Sequence, residues 1–248
     1  SEMLLLIDAG NTRVKWALVN EGAALGAWQA SGALFHVELE PLAEILKQHQ
    51  PQRVWLSNVA GEGMRARLEK LLLDSGASPS VLTWFRSRAQ QAGVINGYRD
   101  PAQLGCDRFA SLLGARSLFE QQSLLIVTAG TATTIDALDG SGRFLGGMIL
   151  PGLGTMAQSL ALSAAQLPQV DTQWSGAHFA DNTSDAIVSG CIQAQVGAII
   201  QARTQLPGVR CLLSGGAAPY LLPCLPPPIE LVEQLVLRGL HVAAQSES

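Results

Sequence analysis

Hydrophobic residues in this 248-residue chain form short continuous runs and alternating stretches, separated by segments with helical spacing. Leu4–Ile7 is a continuous apolar run that predicts a buried strand, and Arg13–Asn20 alternates as a strand that returns beside it. Ala24–Ser31 is predicted to be the third strand. The rest of the first half predicts, in order, helix Glu40–Gln48, strand Val54–Val59, helix Met64–Leu73, strand Val81–Phe85 and helix Pro101–Phe119.

The second half of the chain repeats this order. Strands are predicted at Leu124–Val127, Thr134–Leu138 and Phe144–Leu150, then a helix after Gly152, a long helix at about Thr183–Gln205, a strand in "RCLLSGG", a short strand Ile229–Val232 and a last helix. In both halves an x-Ala-Gly-x turn follows the first strand. We therefore predict an internal duplication in an α/β protein, with halves at 1–119 and 120–248.

Composition excludes several classes of protein. Apolar residues make up 48% and charged residues 15%, so the chain is predicted to fold, and its net charge of −4 argues against nucleic-acid binding. No apolar run is long enough to span a membrane, and the first run lacks the basic start of a signal peptide. The four cysteines are scattered without a CxxC pair, which favours reduced core thiols and a cytoplasmic location.

The two glycine turns are candidate phosphate-binding sites. Glycine lets backbone N–H groups approach an anion, and hydroxyls at Thr12, Thr131 and Thr133 can donate to phosphate oxygens. Asp8 ends the first strand, where it could hold Mg²⁺ directly or through water. Lys15 could offset phosphate charge or be an ordinary exposed hairpin lysine.

A third glycine turn, Ser214 to Gly216, follows an apolar strand. It could admit an adenine or ribose, or could simply begin a helix. The sequence contains no GxxxxGK[ST] loop and no GxGxxG after a strand, so the prediction of nucleotide binding depends on the duplicated turns.

Asp107 and Arg108 in "GYRDPAQLGCDRFA" are the candidate acceptor-site pair. A carboxylate can accept the proton of a substrate hydroxyl, and a guanidinium pairs with a substrate carboxylate through two parallel hydrogen bonds. From the residues alone, an exposed ion pair is the alternative.

Taken together, the glycine turns resemble the nucleotide-binding core of the actin, sugar-kinase and heat-shock-70 superfamily. Within it, "DAGNTRVKWAL", "NGYRDPAQLGCDR", "AGTATTID" and "GGMILPG" resemble type III pantothenate kinase. The resemblance implies two duplicated ribonuclease-H-like (actin-like ATPase) subdomains around a nucleotide cleft. The predicted ATP- and phosphate-binding residues are Asp8, Ala9, Gly10, Asn11, Thr12, Arg13, Val14, Lys15, Gly130, Thr131, Gly215 and Gly216.

The resemblance further implies ATP-dependent phosphorylation of pantothenate, with Mg²⁺, and Asp107 as the base. The implied substrate-binding residues are Tyr98, Gly105, Cys106, Asp107, Arg108 and Thr183. From sequence alone, the stretch "NTSD" around Thr183 also fits a helix N-cap with acidic residues in the first turn. One departure concerns the monovalent cation, because members commonly carry Asp where this chain has Thr128. Threonine lacks the charge, so we expect no steep dependence on K⁺ or NH₄⁺.

The segment from Ala186 to Ala202 contains no charged residue, and one side of it is built from Gly and Ala. A helix without a charged face is either central or packed on a partner, and we favour a homodimer, which the resemblance also implies. The four histidines are dispersed and are expected at surfaces or helix ends. Alternative functions are a same-fold kinase of another small hydroxyl substrate and a nucleotide-switched regulatory protein.

Overall fold

The computed structural model describes residues 2–163 and 176–247. Its described strands form two five-stranded sheets and one small hairpin. The strands are β1 (Met3–Ala9), β2 (Arg13–Asn20), β3 (Ala30–Phe35), β4 (Arg53–Asn58), β5 (Leu82–Trp84), β6 (Gln90–Gln91), β7 (Val94–Ile95), β8 (Leu124–Ala129), β9 (Ala132–Leu138), β10 (Phe144–Pro151), β11 (Arg210–Ser214) and β12 (Glu230–Leu231).

The helices follow most of the predicted positions. They are α1 (Glu40–His49), α2 (Glu62–Asp74), α3 (Cys106–Leu118), α4 (Leu153–Ser163), α5 (Thr183–Thr204), α6 (Ala218–Leu221) and α7 (Leu235–Ser246). Within the described ranges, none of them combines the length and the hydropathy that crossing a bilayer requires.

The two large sheets have the same topology, so the predicted duplication is confirmed. The first has the order β3-β2-β1-β4-β5 and the second β10-β9-β8-β11-β12. In each, the first strand pairs antiparallel with its hairpin partner and parallel with the strand that follows the crossover. The carboxyl ends of the parallel strands therefore meet at one edge of each sheet, beside the glycine turns.

Each sheet has its own apolar core. Leu5, Ile7 and Leu18 pack with Leu42 of α1 and Leu68 of α2 in the first. In the second, the central strands β8 and β11 pack against α5 and α6. The central strand β1 is buried from Met3 to Ile7, which explains why its sequence is a continuous apolar run rather than an alternating one.

The chain divides into two compact units. Unit 1 contains residues 1–121, 142–144 and 234–248, and unit 2 contains 122–141 and 145–233. Unit 1 thus includes α7, which the division by repeats at 119/120 assigns to the second half. Helix α7 belongs to unit 1 because its backbone packs closely against that of α3. A Cβ added at Gly239 would lie 1.7 Å from the Ala110 carbonyl oxygen.

The third strand differs from its prediction. Ala24–Ser31 was expected to be extended, but Gly26 adopts a positive φ of 78° and the chain turns before β3 begins. The Trp28 indole then donates to the Gln234 side chain at 2.6 Å. The apolar residues of this segment belong to a turn anchored within unit 1, which alternation alone did not reveal.

The helix predicted at Pro101–Phe119 is also interrupted. A 3₁₀ turn at Pro101–Gln103 ends before Gly105, which has extended ψ of 134°, and α3 begins at Cys106. Asp107 consequently lies in the first turn of a helix, where unsatisfied backbone N–H groups favour a carboxylate.

Candidate active site

The first glycine turn joins β1 to β2, and both backbone groups of Gly10 have partners. Its N–H donates to the Arg13 carbonyl at 2.9 Å, and its carbonyl accepts from His36 Nε2 at 2.7 Å. Asn11, Thr12 and Arg13 are exposed. The turn is therefore held from one side while its tip is open, as a phosphate-binding turn requires.

Asp8 lies next to this turn, opposite Lys15 on β2 and Ser57 on β4. Burial raises the pKa of Asp8 from 3.8 to about 7; the positive charge of Lys15 opposes this shift, and the negative charge of Asp107 adds to it. Two carboxyls that are 99 positions apart in the sequence thus interact electrostatically in unit 1.

Asp107 is held in a defined position by its own helix. Its Oδ1 accepts a hydrogen bond from the Arg108 N–H at 2.8 Å. Burial raises the pKa of Asp107, whereas that hydrogen bond and the Arg108 charge lower it. A Cβ at residue 105 would lie 2.9 Å from the Asp107 Oδ1, so Gly105 provides the space that this carboxyl occupies.

Cys106 connects the start of α3 to the tip of β4. Its Sγ lies 3.3 Å from the Ser57 Oγ and 3.6 Å from the Asn58 carbonyl oxygen. Burial raises the pKa of the Cys106 thiol, so the group is protonated at neutral pH. Because β4 pairs in parallel with β1, these contacts fix Asp107 relative to Asp8.

Arg108 and Tyr98 also come together. Arg108 Nη1 donates to the Tyr98 hydroxyl at 3.0 Å, and the guanidinium carbon lies 5.7 Å from the ring centroid. Arg108 is only 9% exposed, so the alternative of an exposed ion pair is wrong. Among the predicted site residues of unit 1, Tyr98, Asp107 and Arg108 thus form a hydrogen-bonded group, and the charge of Asp107 acts on Asp8.

Unit 2 contains the second glycine turn, which is one residue shorter than the first. Gly130 N–H donates to the Ala132 carbonyl at 3.0 Å, and Thr131 is exposed. Gly152 approaches this turn so closely that a Cβ would lie 2.2 Å from the Gly130 carbonyl oxygen. The sequence motif "GGMILPG" thus ends a strand and supports the turn.

Gly215 reaches the same end of the second sheet. Its φ is 98°, and a Cβ would lie 2.4 Å from the Ala129 carbonyl oxygen. Ala217 N–H donates to that carbonyl at 3.0 Å. The structure therefore brings the Ser214–Gly216 turn next to the Gly130 turn. Thr133, in contrast, is 1% exposed, so its hydroxyl does not face the open tip of the turn.

Thr128 occupies the position that Asp8 has in unit 1. It pairs with Thr134 on β9 and with Ser214 on β11, and its Oγ1 lies 3.4 Å from the Ser214 Oγ. The equivalent set in unit 1 is Asp8, Lys15 and Ser57. At this strand edge, the hydroxyls of Thr128 and Thr134 thus stand where unit 1 has the carboxyl of Asp8 and the ammonium group of Lys15.

Thr183 lies in unit 2 as the first residue of α5. The N-cap is Asn182, whose side-chain oxygen accepts from the Asp185 N–H at 3.0 Å, so the N-cap predicted in "NTSD" is confirmed. Thr183 lines a groove of about 650 Å³ between α4 and α5, whose other lining residues are largely apolar.

His241 differs from the expectation of surface or helix-end positions, and the half-buried His36 has partners in the first glycine turn and α2. His36 contacts the Gly10 carbonyl, and its own carbonyl accepts from Arg67 of α2 at 2.5 Å. His241 is 1% exposed within α7, and burial lowers its pKa. His36 and Ser57 were not predicted as site neighbours, because neither stands in a motif and both contacts depend on the sheet register.

Two five-stranded sheets of identical order, each with a glycine turn after its first strand, define the actin-like ATPase and sugar-kinase class of fold. The 2-hydroxyisocaproyl-CoA dehydratase activator from Clostridium difficile, solved with bound ADPNP, matches with a TM-score of 0.55 at 12% identity, over 98% of this chain and 94% of its own. The ROK hexokinase from Thermus thermophilus matches with a TM-score of 0.50 at 14% identity, over 99% and 98% of the two chains.

The family model for type III pantothenate kinase matches residues 4–205. The chain therefore belongs to the type III pantothenate kinase family. The type III pantothenate kinase of Janthinobacterium sp. is 50% identical, over 99% of this chain and 99% of its own length.

Proposed function

We propose that the unit 1 group of Asp8, Tyr98, Asp107 and Arg108 carries out the reaction of this family. That reaction is ATP-dependent phosphorylation of pantothenate to 4′-phosphopantothenate, the first step of coenzyme A biosynthesis. The observation that supports the proposal most directly is the set of contacts that joins Asp8 to the acceptor residues: Asp8 pairs with Ser57 on β4, Ser57 contacts Cys106 next to Asp107, and Arg108 donates to Tyr98. We place the reaction in the cytoplasm, in agreement with cysteines that are free in the described parts of the chain.

Asp107 is the proposed base. Its carboxylate accepts the proton of the pantothenate hydroxyl as that oxygen bonds to the γ-phosphorus of ATP, while the bond from phosphorus to the β,γ-bridging oxygen breaks and ADP leaves. A raised pKa brings the carboxyl closer to neutral pH, which makes it a stronger base. Arg108 is proposed to bind the pantothenate carboxylate, with Tyr98, Gly105 and Cys106 lining the same site.

Mg²⁺ is the proposed metal ion, and Asp8 its ligand, directly or through water. The residues fit such an ion, because the negative charge of Asp107 acts on the half-buried carboxyl of Asp8 and a cation would relieve this repulsion. Mg²⁺ commonly uses one or two carboxylates together with substrate phosphates, and when bound it neutralises phosphate charge. Lys15, opposite Asp8 on β2, is proposed to add a positive charge to the phosphates.

The nucleotide contacts are proposed for both units. Residues 8–15 of unit 1 are the proposed phosphate-binding segment, in which the exposed tip of the turn, Asn11 to Arg13, would contact phosphate oxygens. Gly130 and the exposed Thr131 form the corresponding proposed turn of unit 2. Gly215 and Gly216 would bind on the adenosine side. We propose that activity does not rise steeply with K⁺ or NH₄⁺, because the hydroxyls of Thr128, Thr134 and Ser214 supply no negative charge.

An assay with the purified protein tests the function directly. Incubation with Mg²⁺ and ATP is expected to convert pantothenate to its phosphate. Mass spectrometry detects this product, and a coupled assay measures the ADP that is released. Phosphorylation of glycerol or glucose in place of pantothenate would favour a same-fold kinase of another hydroxyl substrate. ATP hydrolysis that no small hydroxyl compound changes would favour a nucleotide-switched regulatory protein.

A homodimer is proposed through the outer face of α5. This face is exposed and built from small residues, namely Ala186, Gly190, Ala194 and Gly197, while the opposite face is buried in unit 2. It continues into the apolar groove beside α4. Small residues let two backbones approach closely, and a helix of a lone chain normally shows charges here.

A Gly197→Glu variant tests this surface. A Cβ at Gly197 has no neighbour within 4 Å, so the fold should tolerate the change, whereas a buried carboxylate at the interface would separate the subunits. Light scattering after gel filtration is expected to give twice the 26.2 kDa chain mass for the parent and a single chain for the variant. Gly63→Glu, at an equally open position in α2, should remain dimeric; a monomeric parent would refute the proposal.

A further inference from the structure

Asn96 holds the loop that carries Tyr98. Its side-chain Nδ2 donates to the Arg88 carbonyl at 3.2 Å and to the Pro101 carbonyl at 3.0 Å. Its Oδ1 accepts from the Tyr98 N–H at 3.1 Å. The residue is 7% exposed, and one amide thus connects the start, the middle and the end of the loop.

Only an amide provides this combination of two donors and an acceptor in so little space. Alanine at position 96 would leave the backbone groups of Arg88, Tyr98 and Pro101 without these partners. Aspartate would keep the bond from the Tyr98 N–H but would direct carboxylate oxygen at two carbonyl oxygens. A buried group that loses its hydrogen-bond partner is costly, so the loop would move to reach water or another partner.

The loop is also supported beside Tyr98. Gly97 lies against β10, since a Cβ there would be 2.0 Å from the Phe144 carbonyl oxygen. The Tyr98 and Phe144 ring centroids are 5.4 Å apart. Backbone and ring of Tyr98 are therefore both held, which places its hydroxyl 3.0 Å from Arg108 Nη1.

We propose that Asn96 is a positioning residue for the acceptor site, which acts through Tyr98 on the Arg108 guanidinium. It sets the affinity for an acceptor that carries a carboxylate, and leaves the affinity for ATP unchanged, because its contacts lie in the Tyr98 loop and not in the glycine turns. This inference rests on the proposed function of Tyr98 and Arg108.

Steady-state kinetics of Asn96→Ala test the inference. KM for pantothenate is expected to rise about tenfold or more, while KM for ATP stays within about twofold, since the lost interaction concerns acceptor binding. Gln245→Ala is the matched control: it also removes an amide that donates to a backbone carbonyl in unit 1, that of Ala23 at 3.0 Å. It should leave both KM values unchanged.

A double-mutant cycle with Tyr98→Ala separates positioning from a general loss of structure. If Asn96 acts through Tyr98, adding Asn96→Ala to Tyr98→Ala changes KM for pantothenate by less than about twofold. If the two substitutions changed KM for pantothenate independently, so that their factors multiplied in the double variant, the inference would be overturned. Equal changes in KM for pantothenate and KM for ATP would also overturn it.

Two further outcomes are informative. If Tyr98→Ala leaves KM for pantothenate unchanged, the proposed acceptor site itself is wrong; if it raises KM but Asn96→Ala does not, only the role of Asn96 is wrong. Should Asn96→Ala fail to fold, Asn96→Asp, which keeps the bond from Tyr98, is measured in the same way. Failure of both variants to fold would assign Asn96 to the fold alone and overturn the inference.

Discussion

An Asp107→Asn variant is expected to lose pantothenate phosphorylation by a factor of roughly 10²–10⁴, the range typical for loss of a general base. The amide has no basic oxygen to accept the proton of the substrate hydroxyl. The binding of ATP and pantothenate should change less, because asparagine has almost the same shape as aspartate. Initial rates at saturating ATP and pantothenate, with both KM values, measure the loss as a fall in kcat.

Folding of this variant should be retained. The asparagine oxygen can still accept from the Arg108 N–H, which Asp107 Oδ1 does at 2.8 Å, so the first turn of α3 keeps its contact. Asp74→Asn is the control, since Asp74 is an exposed acid on α2 whose partner is Lys70 at 2.6 Å. It should have parental activity. If Asp107→Asn retained more than about a tenth of parental kcat, Asp107 would not be the base.

Much of the fold could be predicted because its signals are local. Continuous apolar runs marked the central strands, and the repeated x-Ala-Gly-x turn marked the duplication, which the identical sheet orders confirm. The hairpin that returns β2 beside β1 was predicted as well, and its register places Lys15 opposite Asp8. The Asp107–Arg108 pair came from a motif with characteristic spacing, through its family resemblance.

What was missed depends on tertiary contacts. Ser57 meets Cys106 only because β4 lies beside β1 in a particular register, and His36 reaches Gly10 only because β3 begins six residues later than predicted. The place of α7 in unit 1 depends on Gly239, whose missing side chain allows contact with α3. Nothing in the local sequence distinguishes such a glycine from one in a loop.

The duplication also shows how the two halves have diverged chemically. The strand edge of unit 1 has Asp8, Lys15 and Ser57, whereas the equivalent positions of unit 2 have Thr128, Thr134 and Ser214. At these equivalent positions, the charged side chains thus lie in unit 1, which also contains Asp107 and Arg108. We therefore propose that unit 1 supplies the metal ligand and the base, whereas the same strand edge of unit 2 presents neutral hydroxyl groups.

An Asp8→Asn variant is expected to be less active but more stable than the parent at pH 8. Activity should fall by roughly 10²–10³, as is typical when a group that stabilises transition-state charge is removed. The stability effect follows from the pKa of Asp8, which burial raises from 3.8 to about 7. Ionising this carboxyl in the folded protein costs free energy that the unfolded chain does not pay.

The sign of the pH dependence is fixed by this raised pKa. Because the folded protein holds the proton more tightly, the stability contributed by Asp8 is complete below about pH 3.8 and is lost as the pH rises to about 7. If the whole pKa shift of Asp8 were converted into free energy of unfolding, it would amount to about 4 kcal/mol. Because Asp8 is partly exposed, we expect a loss of about 1–3 kcal/mol at pH 8. Asparagine at position 8 removes this cost.

Urea unfolding of Asp8→Asn and parent, each between pH 4 and pH 8, measures the difference. The two curves should agree at pH 4, separate as the pH rises, and stay apart by a constant amount above pH 7. Asp74→Asn should show no such gain, because Asp74 is exposed. Loss of stability in Asp8→Asn at pH 8 would mean that attraction to Lys15 outweighs burial, and Asp8 would then be a structural ion-pair partner rather than a carboxylate kept available for a cation.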